Sequence, residues 1–432
     1  MLNNRISFER SLVDRLIARL VEFPQRLQIL AGPRQVGKTT LVRQLLAKRP
    51  TNSGLYVAAD ELVQPAANAG FSDAESGWVT GGAGQRADRA WLVEQWRLAL
   101  KAAAIWRDCA HPSATVLPFV FAIDEIQKVP QWSEVIKGLW DQHRADDQPM
   151  QVLLLGSSPL LMQRGLNESL AGRFEVTPMT HWSFEEMNDA FGFTLDQYLY
   201  FGGFPGSAAY VHDEARWRSY VISGLVEPNI ERDILMMTRV DKPALLKQLF
   251  DLGCAYSAQI VSLDKTLGQL HDAGNVTTLA RYLELLGQAG LLAGLQKYAG
   301  QALRRRQSPP KYQVLNNALM SAKGTHNFDE ARADRSHWGR LVESAVGAHL
   351  VNTAQGDTRI HYWREGSLEV DFVIEHRGRL CAVEVKSGKA ASQQRGLAEF
   401  ARRHPGCATL LVGTDSLPVG EFLRYPAAHW VG

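Results

Sequence analysis

Near the N-terminus Phe8, Leu12, Val13, Leu16, Ile17, Leu20 and Val21 recur at helical spacing, with Arg10, Arg15 and Arg19 off that stripe. The pattern predicts an amphipathic helix. Arg26–Leu30 reads as a short buried strand that runs into a glycine-bearing turn and a helix over Thr39–Lys48. The alternation then repeats with strand Leu55–Ala59, helix Ala90–Ala104, strand Phe119–Ile123, helix Trp132–Gln142 and strand Gln151–Leu155. Strands alternating with helices imply a parallel sheet covered on both faces. Gln64 to Arg89, rich in Ala, Gly, Asp and Ser, breaks the pattern and reads as an irregular insertion.

From about Ser183 helical spacing dominates. Gly202–Gly206 (GGFPG) is a breaker, helical stretches cover Glu214 to Gly253, and two further runs occupy Leu263–Ala273 and Thr277–Gln288 before a strand at Gly290–Lys297. Three helices and a strand hairpin are expected to make a winged helix, with the basic stretch Arg304–Lys311 as its wing or a linker. Helix His337–Asn352 opens the tail, followed by strands Arg359–Arg364, Glu369–Glu375 and Arg379–Val385, helix Ser392–Arg403 and strand Ala408–Val412. The expected fold class is α/β, in domains spanning residues 1–182, 183–310 and 311–432.

Composition changes this picture little. A chain of 432 residues suits two to four domains at roughly 150 residues each. Its 45% hydrophobic and 21% charged residues exclude wholesale disorder. Lys and Arg total 47 against 45 Asp and Glu, a net charge of +2, so any DNA contact must come from local basic patches and be strongly salt-dependent. Cys109, Cys254, Cys381 and Cys407 are too scattered for a disulfide framework or zinc knuckle and suit a reducing compartment. Apolar runs such as Val152–Leu155 are far short of a membrane span, and the N-terminus lacks a secretory pattern. A cytoplasmic protein without a membrane partner is expected.

GPRQVGKT, from Gly32 to Thr39, fits G-x-x-x-x-G-K-[ST] between a predicted strand and a predicted helix. In such a loop backbone amides turn inward around phosphate oxygens, and the helix N-terminus adds positive potential. Gly32, Pro33, Arg34, Gln35, Val36, Gly37, Lys38, Thr39 and Thr40 are therefore the candidate ATP-binding residues. Lys38 is expected to reach the β- and γ-phosphates and Thr39 to hold Mg²⁺. Strand Phe119–Ile123 ends at Asp124-Glu125. Asp124 fits the Mg²⁺ partner and Glu125 the residue that orients the attacking water, the alternative being an acidic pair that caps the next helix. Ser157 and Ser158 follow the next strand, where they either touch the γ-phosphate or water or simply make a turn. Arg173, in ESLAGR, is either a solvated charge or an arginine serving a neighbour's γ-phosphate.

The ordered set AGPRQVGKTTLVRQLL, IDEIQKVPQW, LLLGSSPLL, SLAGR and GGFPG resembles prokaryotic AAA-family ATPases that carry a C-terminal domain of unknown function. The likeness continues through Glu231–Ile234, the Thr277–Leu286 helix and Gly339–Ser344, nearly the whole chain. The resemblance implies a P-loop AAA-type ATPase core, a helical winged-helix middle domain and a restriction-endonuclease-like α/β tail. It further implies that Arg173 is the arginine finger and that Ser157 or Ser158 is the sensor residue. The region from Asp60 to Phe119 departs from the family's compactness.

The tail carries a second constellation. Asp371 lies thirteen positions before Glu384 on successive predicted strands, Lys386 follows at E-x-K spacing, and Glu343 lies on the preceding helix. This order resembles the PD-(D/E)XK nucleases. Asp371 and Glu384 are then expected to hold Mg²⁺ with hard oxygens, Lys386 to position the attacking water, and Glu343 to hold a metal or a metal-bound water. Charged residues are also commonplace at strand ends, so a silent site stays the alternative. The combined expectation is an ATP-hydrolysing protein acting on DNA as a homo-oligomeric ring, with a tail that binds or cleaves DNA, branched DNA included. Arg281 and Arg304–Arg306 are the candidate DNA contacts of the winged helix. The rival expectation is a nucleotide-dependent switch or signalling protein with a silent tail and protein partners.

Overall fold

The computed structural model describes residues 8–23, 25–60, 87–109, 117–145, 150–156, 170–235, 240–270, 275–299, 308–386, 394–413 and 416–432. The chain forms two compact units, Met1–Met179 and Thr180–Gly432.

The first unit runs α1 (Leu12–Arg19), β1 (Leu27–Ala31), α2 (Lys38–Ala47), β2 (Gly54–Ala58), α3 (Arg89–Cys109), β3 (Phe119–Asp124), α4 (Trp132–Ala145), β4 (Met150–Gly156) and β5 (Phe174–Pro178). The strands form one parallel sheet in the order β2-β3-β4-β1-β5. Alternate side chains explain its apolar strands. Phe119, Phe121 and Ile123 join a core with Trp96 and Trp140, while Val120 and Ala122 join another with Leu16 and Val42. Strand β5 is an addition to the expected set. It lies at the sheet edge, and Thr177 is its one fully buried side chain, so neither an apolar run nor an alternation announces it. Most of the insertion expected over Gln64 to Arg89, residues 64–86, lies outside the described residues.

The second unit opens with α5 (Phe184–Phe191), α6 (Leu195–Phe201), α7 (Glu214–Ser219), α8 (Pro243–Ala255), α9 (Leu263–Gln269) and α10 (Val276–Gln288). Ser183 and Thr194 start α5 and α6 with reciprocal capping boxes, each satisfying amides that the helix itself cannot. Two π-helical stretches, Tyr220–Val226 and Asn229–Leu235, interrupt the expected long helix after α7. Then follow β6 (Leu292–Lys297), β7 (Lys311–Val314), α11 (Asn317–Lys323), α12 (Phe328–Ala333), α13 (Arg335–Thr353), β8 (Thr358–Glu365), β9 (Leu368–His376), β10 (Arg379–Lys386), α14 (Gln394–Arg403), β11 (Ala408–Gly413) and α15 (Val419–Phe422).

These strands form one mixed sheet in the order β11-β10-β9-β8-β6-β7. β6 pairs antiparallel with β7, Leu295 opposite Lys311, and parallel with β8 through Gln296 and His361. The division expected after residue 310 therefore falls between two paired strands. The hairpin expected to be a wing is the edge of the tail's own sheet, joined to it by backbone hydrogen bonds. Arg304–Arg306 lie outside the described residues. No helix among the described residues is long and apolar enough to cross a membrane.

Candidate functional site

The phosphate loop connects the end of β1 to α2. Its glycines have steric reasons to be there: a Cβ on Gly32 would stand 1.9 Å from the Met179 carbonyl oxygen, and Gly37 takes φ +90° at the N-cap of α2. Gln35 also adopts a positive φ of 56°. Val36 is buried against the core around α1 and α2, and Arg34 and Thr40 stand on the loop and the first turn of α2. Lys38 is folded back over the loop, its Nζ donating to the carbonyls of Gly32 (2.9 Å) and Pro33 (2.7 Å).

Asp124, at the end of β3, comes to the same place from 85 positions away. Thr39 Oγ1 donates to Asp124 Oδ2 at 2.6 Å, Tyr56 Oη to the same oxygen at 2.8 Å, and the Glu125 amide to Oδ1 at 2.8 Å. A hydroxyl and a carboxylate on adjoining elements are hard oxygen donors, and they fit the Mg²⁺ that a P-loop site takes. Glu125 has φ 51°, and its Oε2 accepts Gln127 Nε2 at 2.6 Å. Tyr56 and Gln127 were not among the expected residues. Tyr56 lies inside an apolar strand, where its ring answers to the hydrophobic pattern and its hydroxyl leaves no trace in it. Ser157 and Ser158 lie outside the described residues.

Arg173 stands apart from this cluster. Its carbonyl accepts the Leu27 amide at 2.9 Å, which fixes it at the start of β1, whereas the phosphate loop follows the strand's far end. Five residues at about 3.3 Å each put roughly 16 Å between the two ends. The guanidinium makes a two-pronged ion pair with Asp141 on α4, at 2.7 and 2.9 Å. That pair holds the Asp141 carboxyl below its ordinary range, the hydrogen bonds to Arg173 being the main cause.

In the second unit the four expected tail residues do come together, around a fifth from the stretch expected to be a wing or a linker. Lys311, the first residue of β7, has a wholly buried side chain. Its Nζ lies 2.5 Å from Glu343 Oε1, 3.1 Å from the Asp371 carbonyl oxygen and 3.7 Å from Asp371 Oδ1. Asp371 Oδ2 accepts the Val385 amide at 2.8 Å. Glu384 Oε1 accepts Lys386 Nζ at 2.7 Å, as alternation along β10 leads one to expect, and Glu384 Oε2 is buried with no hydrogen-bond partner among the described residues. Burial, then the Asp371 charge, lifts Glu343 to about 8 against the pull of Lys311. The same two causes lift Glu384 to about 7 against the pull of Lys386. Burial works against the Lys311 charge, but Glu343 and Asp371 raise its pKa on balance.

This donor set does not fit the expected Mg²⁺ site. Among the described residues no group of three or more His, Cys, Asp or Glu side chains could hold a metal ion. The expectation that Asp371 and Glu384 bind metal with Glu343 beside them meets an ammonium in the space between Glu343 and Asp371.

Residues 24–188 match the family described as AAA domain. Residues 192–329 and 338–427 match two families described as domains of unknown function, DUF8612 and DUF4143. An uncharacterized protein of Mycobacterium tuberculosis is 25% identical over 381 residues, 85% of this chain and 72% of that protein. An uncharacterized protein of Methanocaldococcus jannaschii is 20% identical over 405 residues, 87% of this chain and 80% of that one. Among solved structures, a Walker-type ATPase of Pyrococcus abyssi overlaps 73% of this chain and 95% of its own at 16% identity and a TM-score of 0.47. The Aeropyrum pernix ORC1 protein in complex with DNA overlaps 74% and 94% at 13% identity and a TM-score of 0.27. The phosphate loop, Asp124 beside it and the family match agree that residues 24–188 form an AAA-type ATPase domain, and the rest of the chain matches domains whose function is itself unknown.

Proposed function

We propose that the protein is a cytoplasmic ATPase that acts on DNA as a homo-oligomeric ring, with ATP and Mg²⁺ bound at the phosphate loop. The observation that carries this reading is the 2.6 Å hydrogen bond between Thr39 and Asp124, which joins the loop's helix to the acid of β3. Thr39 and Asp124 would hold Mg²⁺, which when bound neutralises charge on the β- and γ-phosphate oxygens. Loop amides and the Gly37 turn bind the phosphates, Lys38 exchanges its two carbonyl partners for phosphate oxygens, and Glu125 orients water. Arg173 lies at the wrong end of the sheet for its own loop, so its finger role requires a neighbouring subunit. It would leave Asp141 to serve there. The tail's share in this reading is to bind DNA.

ATP hydrolysis measured with and without single-stranded, duplex, forked and four-way DNA, at low and high salt, tests the reading. Stimulation that fades with salt is the expected result. Hydrolysis indifferent to every DNA moves the protein to the second reading, a nucleotide-dependent switch with protein partners. One observation favours that alternative: the exposed positions of α10 are Thr277, Ala280, Arg281 and Glu284, a face whose charges cancel rather than a basic one.

A further inference from the structure

A divalent ion held by Glu343 and Asp371 would lie against the Lys311 ammonium, which already engages both residues. The ammonium has no solvent exposure, bonds Glu343 Oε1 and the Asp371 carbonyl, and faces the Phe372 ring at 4.5 Å from its centroid. Two cations cannot share that space without strong repulsion in a dry interior. The remaining carboxylate oxygens are largely committed, Asp371 Oδ2 to the Val385 amide and Glu384 Oε1 to Lys386. Glu384 Oε2 and the second oxygen of Glu343 are left, and a metal drawing on them would stand beside the Lys386 and Lys311 ammonium groups that bond the same two carboxylates.

We propose that the Lys311 ammonium is the resident cation of this carboxylate cluster, so that the tail holds no divalent metal there and cuts no DNA by metal-dependent hydrolysis. The ammonium stands where a metal would, between Glu343 and Asp371, and lowers the cost of burying the two carboxyl groups together. It brings no bound water and no open coordination position, so it supports the fold without supplying a nucleophile. This inference concerns the second unit alone and stands or falls apart from the ATPase reading.

The test counts Mn²⁺ bound to the full-length chain without nucleotide, from the loss of the free-ion electron paramagnetic resonance signal. An Asp124→Asn background silences the phosphate-loop carboxylate, so the count reads the tail. The expected result is no uptake in that background, about one ion per chain when Lys311→Ala is added, and none once Asp371→Asn is added as well. Uptake with Lys311 intact that Asp371→Asn abolishes would overturn the proposal. So would a folded Lys311→Ala chain that gains no ion, because the carboxylates would then not be a cation site at all. Should Lys311→Ala fail to fold, the pair with and without Asp371→Asn still decides. Labelled duplex and four-way DNA incubated with the wild-type chain and Mn²⁺ should stay uncut; a product lost on Asp371→Asn would also overturn it.

Discussion

Asp124 in the phosphate-loop site takes its three hydrogen bonds from neutral donors, Thr39, Tyr56 and a backbone amide, and Lys38 donates to the backbone carbonyls of Gly32 and Pro33. Glu343, Asp371 and Glu384 in the second unit are instead met by ammonium groups, Lys311 and Lys386. Neutral partners cost little to exchange, which suits the phosphate and metal proposed for the first site. Ion pairs buried together are different, because removing one partner leaves the other charged and dry, at about 3–5 kcal/mol. Acids and lysines gather in both units, with neutral partners around the acid of the first and with one another in the second.

Arg173 sharpens this comparison most. It is paired as the tail lysines are, but at the surface, where solvent screening leaves such a pair worth little and it can be surrendered. Arg173→Ala is therefore expected to lower ATP turnover by about 10³-fold, with affinity nearly unchanged and the melting temperature barely moved. Mixing Lys38→Ala and Arg173→Ala chains should restore part of the rate, since each mixed interface can bring one intact half. Absence of rescue in a chain that stays monomeric with ATP would remove the ring from the proposal.

Exchange of neutral partners is tested within the loop itself. Lys38→Ala is expected to weaken ATP binding on the order of 10²-fold in a fluorescent-nucleotide titration while circular dichroism shows the fold intact. Glu125→Gln should keep that affinity and lose turnover by about 10²-fold or more. A Glu125→Gln chain that hydrolyses ATP at the wild-type rate would reassign Glu125 to the structural role its Gln127 bond already suggests.

The self-neutralised cluster makes a pH forecast. Glu384 is lifted to about 7 from 4.5 by burial and then by Asp371. A carboxyl raised in the folded state stabilises most when protonated, so its contribution is full below about pH 4.5 and is lost as pH rises towards 7. Glu384→Gln should remove this dependence, gaining up to about 3 kcal/mol on the wild type between pH 4.5 and pH 8. Parallel pH profiles of the two melting temperatures would show that Glu384 does not titrate in this window.

The smallest expected effect lies on α10. Arg281→Ala should weaken duplex binding by less than about tenfold if the helix meets DNA, because one exposed contact adds little. An unchanged salt slope would favour a protein partner for that face.

Much of the first unit could be read along the chain because its signals are contiguous. A glycine at φ +90° that opens a helix and an apolar strand ending in Asp124 are local requirements that local sequence must meet. The order Glu343, Asp371, Glu384, Lys386 was equally visible, and the structure does gather those side chains. Strand β5 was invisible because an edge strand with one fully buried residue has no hydropathic signature.

Lys311 shows where such reading stops. It opens KYQV, four residues that are all buried, two of them polar, and closes a basic stretch that reads as a wing or a linker. Hydropathy records where a side chain goes when it has no partner. Lys311 is inside because Glu343, 32 positions on, and Asp371, 60 positions on, are folded against it. Which residues carry charge was written in the chain, but which charge answers which was fixed when β7, α13 and β9 came together, since a buried ion's stability depends on neighbours distant in sequence.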